Sequence, residues 1–243
     1  MENKLIHNNK CEFNNDIAKK IIEGVLDKII ITDEDKEFLS RPFTIESFYN
    51  GIYDIDIVVN NIVQCINWRN TEMKQGVIEY NSENNISSLI LDNDLDGYPT
   101  IYINSCHSHD DFKYCIYTGA YLVEKILKVR KNIKYNIIID CYKCKSSHYL
   151  DIMNMKYFIK ILKIYYPFRI NKCLLINANQ IAYNIINMVK PLVSDYMKNR
   201  IFAIKNPCIE LSNMFTPKTI LFFKTIKESI DESPKEILDR LSK

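Results

Sequence analysis

The side chains with the most chemistry to offer are the eight cysteines and four histidines. Cys141-Tyr142-Lys143-Cys144 is a C-x-x-C placed at the end of an expected strand, with His148 just beyond it. Lys143 and a following helix N-terminus could lower a thiol pKa there, as dithiol redox chemistry requires. The same spacing arises by chance in a chain this rich in cysteine, and the thiols are read as incidental. Cys106, His107 and His109 follow one expected parallel strand, and Cys141, Cys144 and His148 follow another, so all would gather near one sheet edge. These ligand types suit zinc, but no second C-x-x-C fixes a tetrahedral geometry. Neither metal nor cofactor is expected. Asp92, Asp94 and Asp96 alternate like half of a calcium loop, yet no bidentate Glu stands at the required spacing, and a solvated turn is expected.

Phosphate chemistry finds no support. The five glycines, at 24, 51, 76, 97 and 119, form neither G-x-G-x-x-G nor G-x-x-x-x-G-K, so no loop lets backbone N–H groups approach a pyrophosphate. A G-x-S-x-G nucleophile elbow is also missing. A non-enzymatic protein is expected, with a thiol-disulfide oxidoreductase using Cys141 and Cys144 as the enzymatic rival.

The elements that would position such groups follow from length and patterning. A chain of 243 residues with 47% hydrophobic content can bury one main core and carry a small subdomain beside it. Charges nearly balance at net +2, so no uniform field draws in nucleic acid. MENKLIHNNKCEF has no basic flank leading into an apolar stretch, and no apolar run approaches the roughly 18 residues that span a bilayer. A soluble, cytoplasmic monomer is expected.

Residues 1–80 show helical periodicity and read as an N-terminal helical subdomain; residues 81–243 read as the main domain. Asp54 is placed to cap a helix that buries Ile55, Val58, Val59, Ile62 and Ile66. SSLILDN, DLDG and YPTIYIN predict a hairpin around an Asp-Gly turn. An amphipathic helix follows, with Ile116, Ala120, Val123 and Ile126 on one face. Continuous apolar runs at 136–140, 173–178 and 201–204 predict strands covered on both faces, separated by helices at about 147–166 and 180–199. Repeated βαβ units make an α/β fold with a largely parallel sheet and flanking helices. In the 147–166 helix, Lys156, Lys160 and Lys163 leave so wide an apolar sector that it faces more than a sheet. Thr216-Pro217 and Ser233-Pro234 open two tail helices, the second with Glu236 completing a capping box.

From about residue 45 to 210 the order of motifs resembles the CRAL-TRIO family. Tyr53-Asp54 leads through a helix to Trp68-Arg69; Asp94-Leu95-Asp96-Gly97-Tyr98-Pro99 is similar to the family's D-x-x-G-R-P hairpin; Ile139-Asp140 ends a strand; Tyr165-Tyr166-Pro167, Asn171-Lys172, Ile176-Asn177-Ala178 and Lys190-Pro191 follow in order. The resemblance implies a sheet floor, flanking helices and a mobile gate around an apolar cavity that holds one phospholipid or other hydrophobic molecule and exchanges it during transient contact with a membrane surface. The implied lining is Tyr102, Ile137, Ile139, Phe158, Ile161, Tyr165, Tyr166, Phe168, Leu174 and Ile176. Ile209, Leu211, Met214 and Phe215, continued by Leu221, Phe222 and Phe223, are the candidate gate. Of the polar head-group positions of phosphatidylinositol binders, Arg200 is kept in kind, while Phe168 replaces an acid and Gly51 a base. The family's Gly-Gly pair after the gate is replaced by TILFFK. The alternative is an interaction module on the same fold, its interior closed by Tyr135, Tyr166 and Phe168.

Overall fold

A computed structural model describes residues 12–41, 43–50, 52–75, 88–104, 112–129, 134–142, 152–229 and 232–242, with backbone alone at 112–115, 152–155, 181, 182 and 185. Helices come first. The run α1 (Asn15–Leu26) begins where Asn14 accepts from Ile17 N at 3.0 Å, and it buries Ile17, Ile21 and Val25, one residue per turn. A reciprocal capping box between Thr32 and Asp35 opens α2 (Asp33–Ser40), and α3 (Thr44–Tyr49) follows. As expected, Asp54 caps α4 (Ile55–Trp68), accepting from Ile57 N at 3.1 Å. Val58, Val59, Ile62 and Ile66 are buried along it, and the helix runs on into a π-helical segment, Arg69–Met73.

The sheet has order β1-β2-β3-β4-β5, from Ser88–Leu91, Thr100–Asn104, Tyr135–Asp140, Ile170–Ile176 and Ile201–Ile204. Only β1 to β2 is antiparallel; the other three pairings are parallel, as the continuous apolar runs require. Gly97 closes the hairpin with φ of 87°, a conformation that costs glycine nothing. Within that turn the structure corrects one expectation. Asp92 and Asp96 are exposed, but Asp94 is buried, its carboxylate accepting from Tyr98 N at 2.7 Å and Asn136 Nδ2 at 2.8 Å. Asn171 Nδ2 then donates to Asn136 Oδ1 at 3.0 Å, so a polar rung ties the turn to β3 and β4.

Between strands lie α5 (Phe112–Val129), α6 (Ile152–Lys160) with its π-helical continuation Ile161–Tyr165, and α7 (Gln180–Val189). The helix expected at 180–199 is broken. Pro191 has no N–H to continue the ladder, a 3₁₀ turn takes over at Lys190–Leu192, and Ser194 opens a separate short helix, α8 (Asp195–Lys198). After β5 come α9 (Pro207–Glu210), α10 (Pro217–Glu228) and α11 (Pro234–Arg240); Thr216 and Ser233 cap the last two as expected.

Strand alternation divides the core. Ile101, Ile103, Tyr135, Ile137, Ile139 and Cys173 face α5, α6 and the N-terminal helices in one continuous apolar cluster. Tyr102, Ile138, Leu174, Ile176 and Ile204 face the tail, packing with Leu211, Phe215, Phe222, Phe223 and Ile237 in a second.

Candidate functional site: an apolar cavity beside a buried ion cluster

The first cluster contains a cavity between β2, β3, α5 and α6. Its walls are Ile101, Ile103, Tyr135 and Ile137 from the sheet, Ile116, Gly119, Ala120 and Val123 from α5, and Phe158, Ile161, Leu162 and Tyr166 from α6 and the turn after it. Gly119 lets α5 sit low on the sheet, for a Cβ there would lie 3.1 Å from Ile103 Cδ1. The π-helical turn brings the consecutive residues Ile161 and Leu162 to the same wall, while Lys156, Lys160 and Lys163 remain exposed on the outer side. The space left is small, about 20 Å³.

Two tyrosines interrupt the apolar lining. Tyr166 turns its ring to the cavity and donates its hydroxyl to Glu124 Oε1 at 2.9 Å. Glu124 also accepts from Arg41 Nη1 at 3.0 Å and from Arg69 Nη1, so one carboxylate of α5 holds two guanidiniums of the N-terminal helices. Burial works to raise the Glu124 pKa, but Arg69 and then Arg41 outweigh it and hold the carboxyl below its ordinary value. Burial and the Glu124 charge push the Tyr166 phenol well above its ordinary range. The Tyr135 hydroxyl, by contrast, is buried without a hydrogen-bond partner among the described residues.

A second tie fastens α6 to the N-terminal helices. Trp68 Nε1 donates to the Tyr157 hydroxyl at 2.7 Å, and that hydroxyl donates to Glu72 Oε2 at 2.7 Å. One residue pair further, Tyr165 stacks on Trp68 with centroids 4.5 Å apart, and its carbonyl accepts from Cys65 Sγ at 3.6 Å.

Of the expected lining, Ile137, Phe158, Ile161 and Tyr166 meet at the cavity. Ile139 belongs to the same apolar cluster, and Tyr165 faces Trp68. Tyr102, Leu174 and Ile176 are on the opposite side of the sheet. Register decides this: Tyr102 pairs with Ile138 and Ile138 with Leu174, whereas Ile137 points the other way. Tyr102 instead donates to Asp140 Oδ2 at 2.6 Å and meets Phe222 edge-on at 5.0 Å. Burial pushes the Asp140 carboxyl up, despite that bond and those from Asn177 and the Tyr142 backbone.

The candidate gate also lies on that far side. Leu211, Phe215, Phe222 and Phe223 are core residues there, and Met214 packs against them, because the chain after β5 returns beneath the sheet. Ile209 and Leu221 are exposed. Phe168 and Arg200 do come together, through Tyr196. Phe168 adopts φ of 57° and its ring lies 4.6 Å from that of Tyr196, while the Arg200 guanidinium stacks 3.8 Å over the same ring and donates to the Tyr196 carbonyl at 2.8 Å. Neither residue lines the cavity. Gly51, Cys106, His107, His109, Cys144 and His148 lie outside the described residues; Cys141 is buried at the end of β3.

Sequence reasoning missed the α5 wall and the Glu124 cluster. The small pair Gly119-Ala120 on an otherwise bulky helix face was the available signal for the wall. A family model for the CRAL/TRIO domain matches residues 83–236. The chain belongs to the CRAL/TRIO domain family. This is a family of lipid-binding and lipid-transfer proteins. The crystal structure of Sfh5 is similar, with TM-score 0.59 at 14% identity over 84% of this chain and 85% of that one, a likeness of fold. No curated protein sequence matches the chain. The CRAL/TRIO model takes in the whole sheet, α5, α6 and most of the tail; Arg41 and Arg69, which complete the Glu124 cluster, precede it. Among the described residues, no helix of this CRAL/TRIO protein is long and apolar enough to cross a membrane.

Proposed function

We propose that the chain binds one lipid or other hydrophobic molecule between the sheet, α5 and α6, and transfers or presents it between membranes without catalysing a reaction. The observation that carries this reading is the cavity itself, walled by twelve residues of which only Tyr135 and Tyr166 bear a side-chain polar atom, in a CRAL/TRIO domain. Each methylene removed from water is worth about 0.8 kcal/mol, so a lipid leaves for bulk water very slowly and exchange requires a membrane beside the open site. A volume of about 20 Å³ is well short of the roughly 300 Å³ that a small-molecule site needs. Binding therefore requires α5 and α6 to part, and Tyr157, tied to Trp68 and Glu72, is the latch that α6 must strain or release. The protein acts as a cytoplasmic monomer with transient membrane contact. Exposure to mixed vesicles followed by native mass spectrometry tests the proposal: about one lipid per chain is expected, with a rise in thermal stability because only the folded state binds.

The small volume favours a second reading, an interaction module whose interior is filled by Tyr135, Phe158 and Tyr166. Protein that carries no lipid after purification and takes none from vesicles would establish it.

A further inference from the structure

Tyr135 stands apart from every other polar group at the cavity. It is fully buried, its side chain forms part of the cavity wall, and its hydroxyl has no partner among the described residues. A phenylalanine would fill the same space with nothing to desolvate, whereas a buried hydroxyl that bonds to nothing is destabilising. Tyr166, the other wall tyrosine, shows the contrasting case, its hydroxyl spent on Glu124.

We propose that Tyr135 is the specificity-determining contact of the cavity, and that its hydroxyl bonds a neutral oxygen of the ligand, an alcohol or carbonyl group carried into the interior. This rests on the reading of the cavity as a lipid site. Burial of Tyr135 fixes where that oxygen lies, at the inner wall on β3 and not at a solvent-facing mouth. The surrounding charges fix its neutrality. Arg41 and Arg69 both bond Glu124, Arg41 also faces Glu37 at 3.4 Å, and Arg169, whose charge burial disfavours, donates to Thr44. A carboxylate brought to Tyr135 would find Arg41 and Arg69 already matched by Glu124, and a dry site does not tolerate an unmatched charge. A hydrocarbon with no oxygen would leave the hydroxyl as unsatisfied as before. The occupant that suits the wall is an amphiphile with one buried neutral oxygen.

The test compares wild type and Tyr135→Phe, full-length, with three eighteen-carbon probes: 1-octadecene, oleyl alcohol and oleate. Tyr135→Phe should weaken oleyl alcohol binding about tenfold and leave octadecene within about twofold, the loss of one buried hydrogen bond. The same substitution should raise the thermal midpoint of the ligand-free protein by about 2–4 °C, since it removes an unsatisfied group. Equal effects on alcohol and hydrocarbon, or none on either, would overturn the assignment while leaving the lipid site standing. Oleate that binds tightest and depends on Tyr135 would overturn the neutrality. Failure of all three probes to bind wild type would remove the lipid reading and this inference together.

Discussion

Tyr166 and Glu124 join the cavity to the ion cluster: the ring of the first lines the apolar space, and its hydroxyl bonds the carboxylate of the second at 2.9 Å. Because Arg41 and Arg69 converge on that carboxylate from the N-terminal helices, the wall of the cavity and the packing of the helices before it are one mechanical unit.

Removing Glu124 should therefore do more than delete an ion pair. Glu124→Ala takes the carboxylate from the largely desolvated Arg69 and leaves Arg41 with Glu37 alone, and a loss of about 3–5 kcal/mol is expected in urea unfolding. A loss under about 1 kcal/mol would mean that Glu37 and water compensate the two guanidiniums.

The same carboxyl sets an acid limb. Its folded pKa lies below the ordinary 4.5, so the folded state releases this proton more readily than the unfolded chain. Its contribution is present above 4.5 and is lost as pH falls through the depressed folded value. Stability measured between pH 6 and 3 should fall less steeply in Glu124→Gln than in wild type.

Much of this architecture was legible in the sequence. Unbroken apolar runs such as Asn136–Asp140 predicted buried parallel strands, and Asp54, Thr216 and Ser233 announced helix starts that the structure retains. Glu124 was not legible, because its partners stand 83 and 55 residues away in sequence and no periodicity marks them. Sorting Tyr102 from Ile137 needed the register between strands, which only the paired sheet supplies. The tail stripe had two possible partners, a membrane or the back of the sheet, and an apolar stripe reads alike for both.

The latch at Tyr157 carries its own prediction. Tyr157→Phe breaks the bonds to Trp68 and Glu72, each worth about 0.5–1.5 kcal/mol, while keeping the ring. Lipid exchange between vesicles should speed up by about tenfold with little change in the amount bound at equilibrium. An unchanged rate would place the moving element elsewhere than α6.

Ligand head groups supply the last test. Phe168 and Arg200 are coupled through the ring of Tyr196, so the one retained basic residue of the implied head-group set is already engaged by aromatic stacking and by the Tyr196 carbonyl. A phosphoinositide needs several matched hydroxyl and phosphate contacts, and each polar group left unpaired in a dry site costs about 1–3 kcal/mol. With Phe168 supplying none, less than about tenfold preference for phosphatidylinositol over phosphatidylcholine is expected in a vesicle transfer assay. Arg200→Gln should reduce transfer of anionic phospholipids more than that of a sterol, and taking the ratio of the two cancels any general loss from disturbing Tyr196. A strong phosphatidylinositol preference that survives Arg200→Gln would show that other residues form the head-group site.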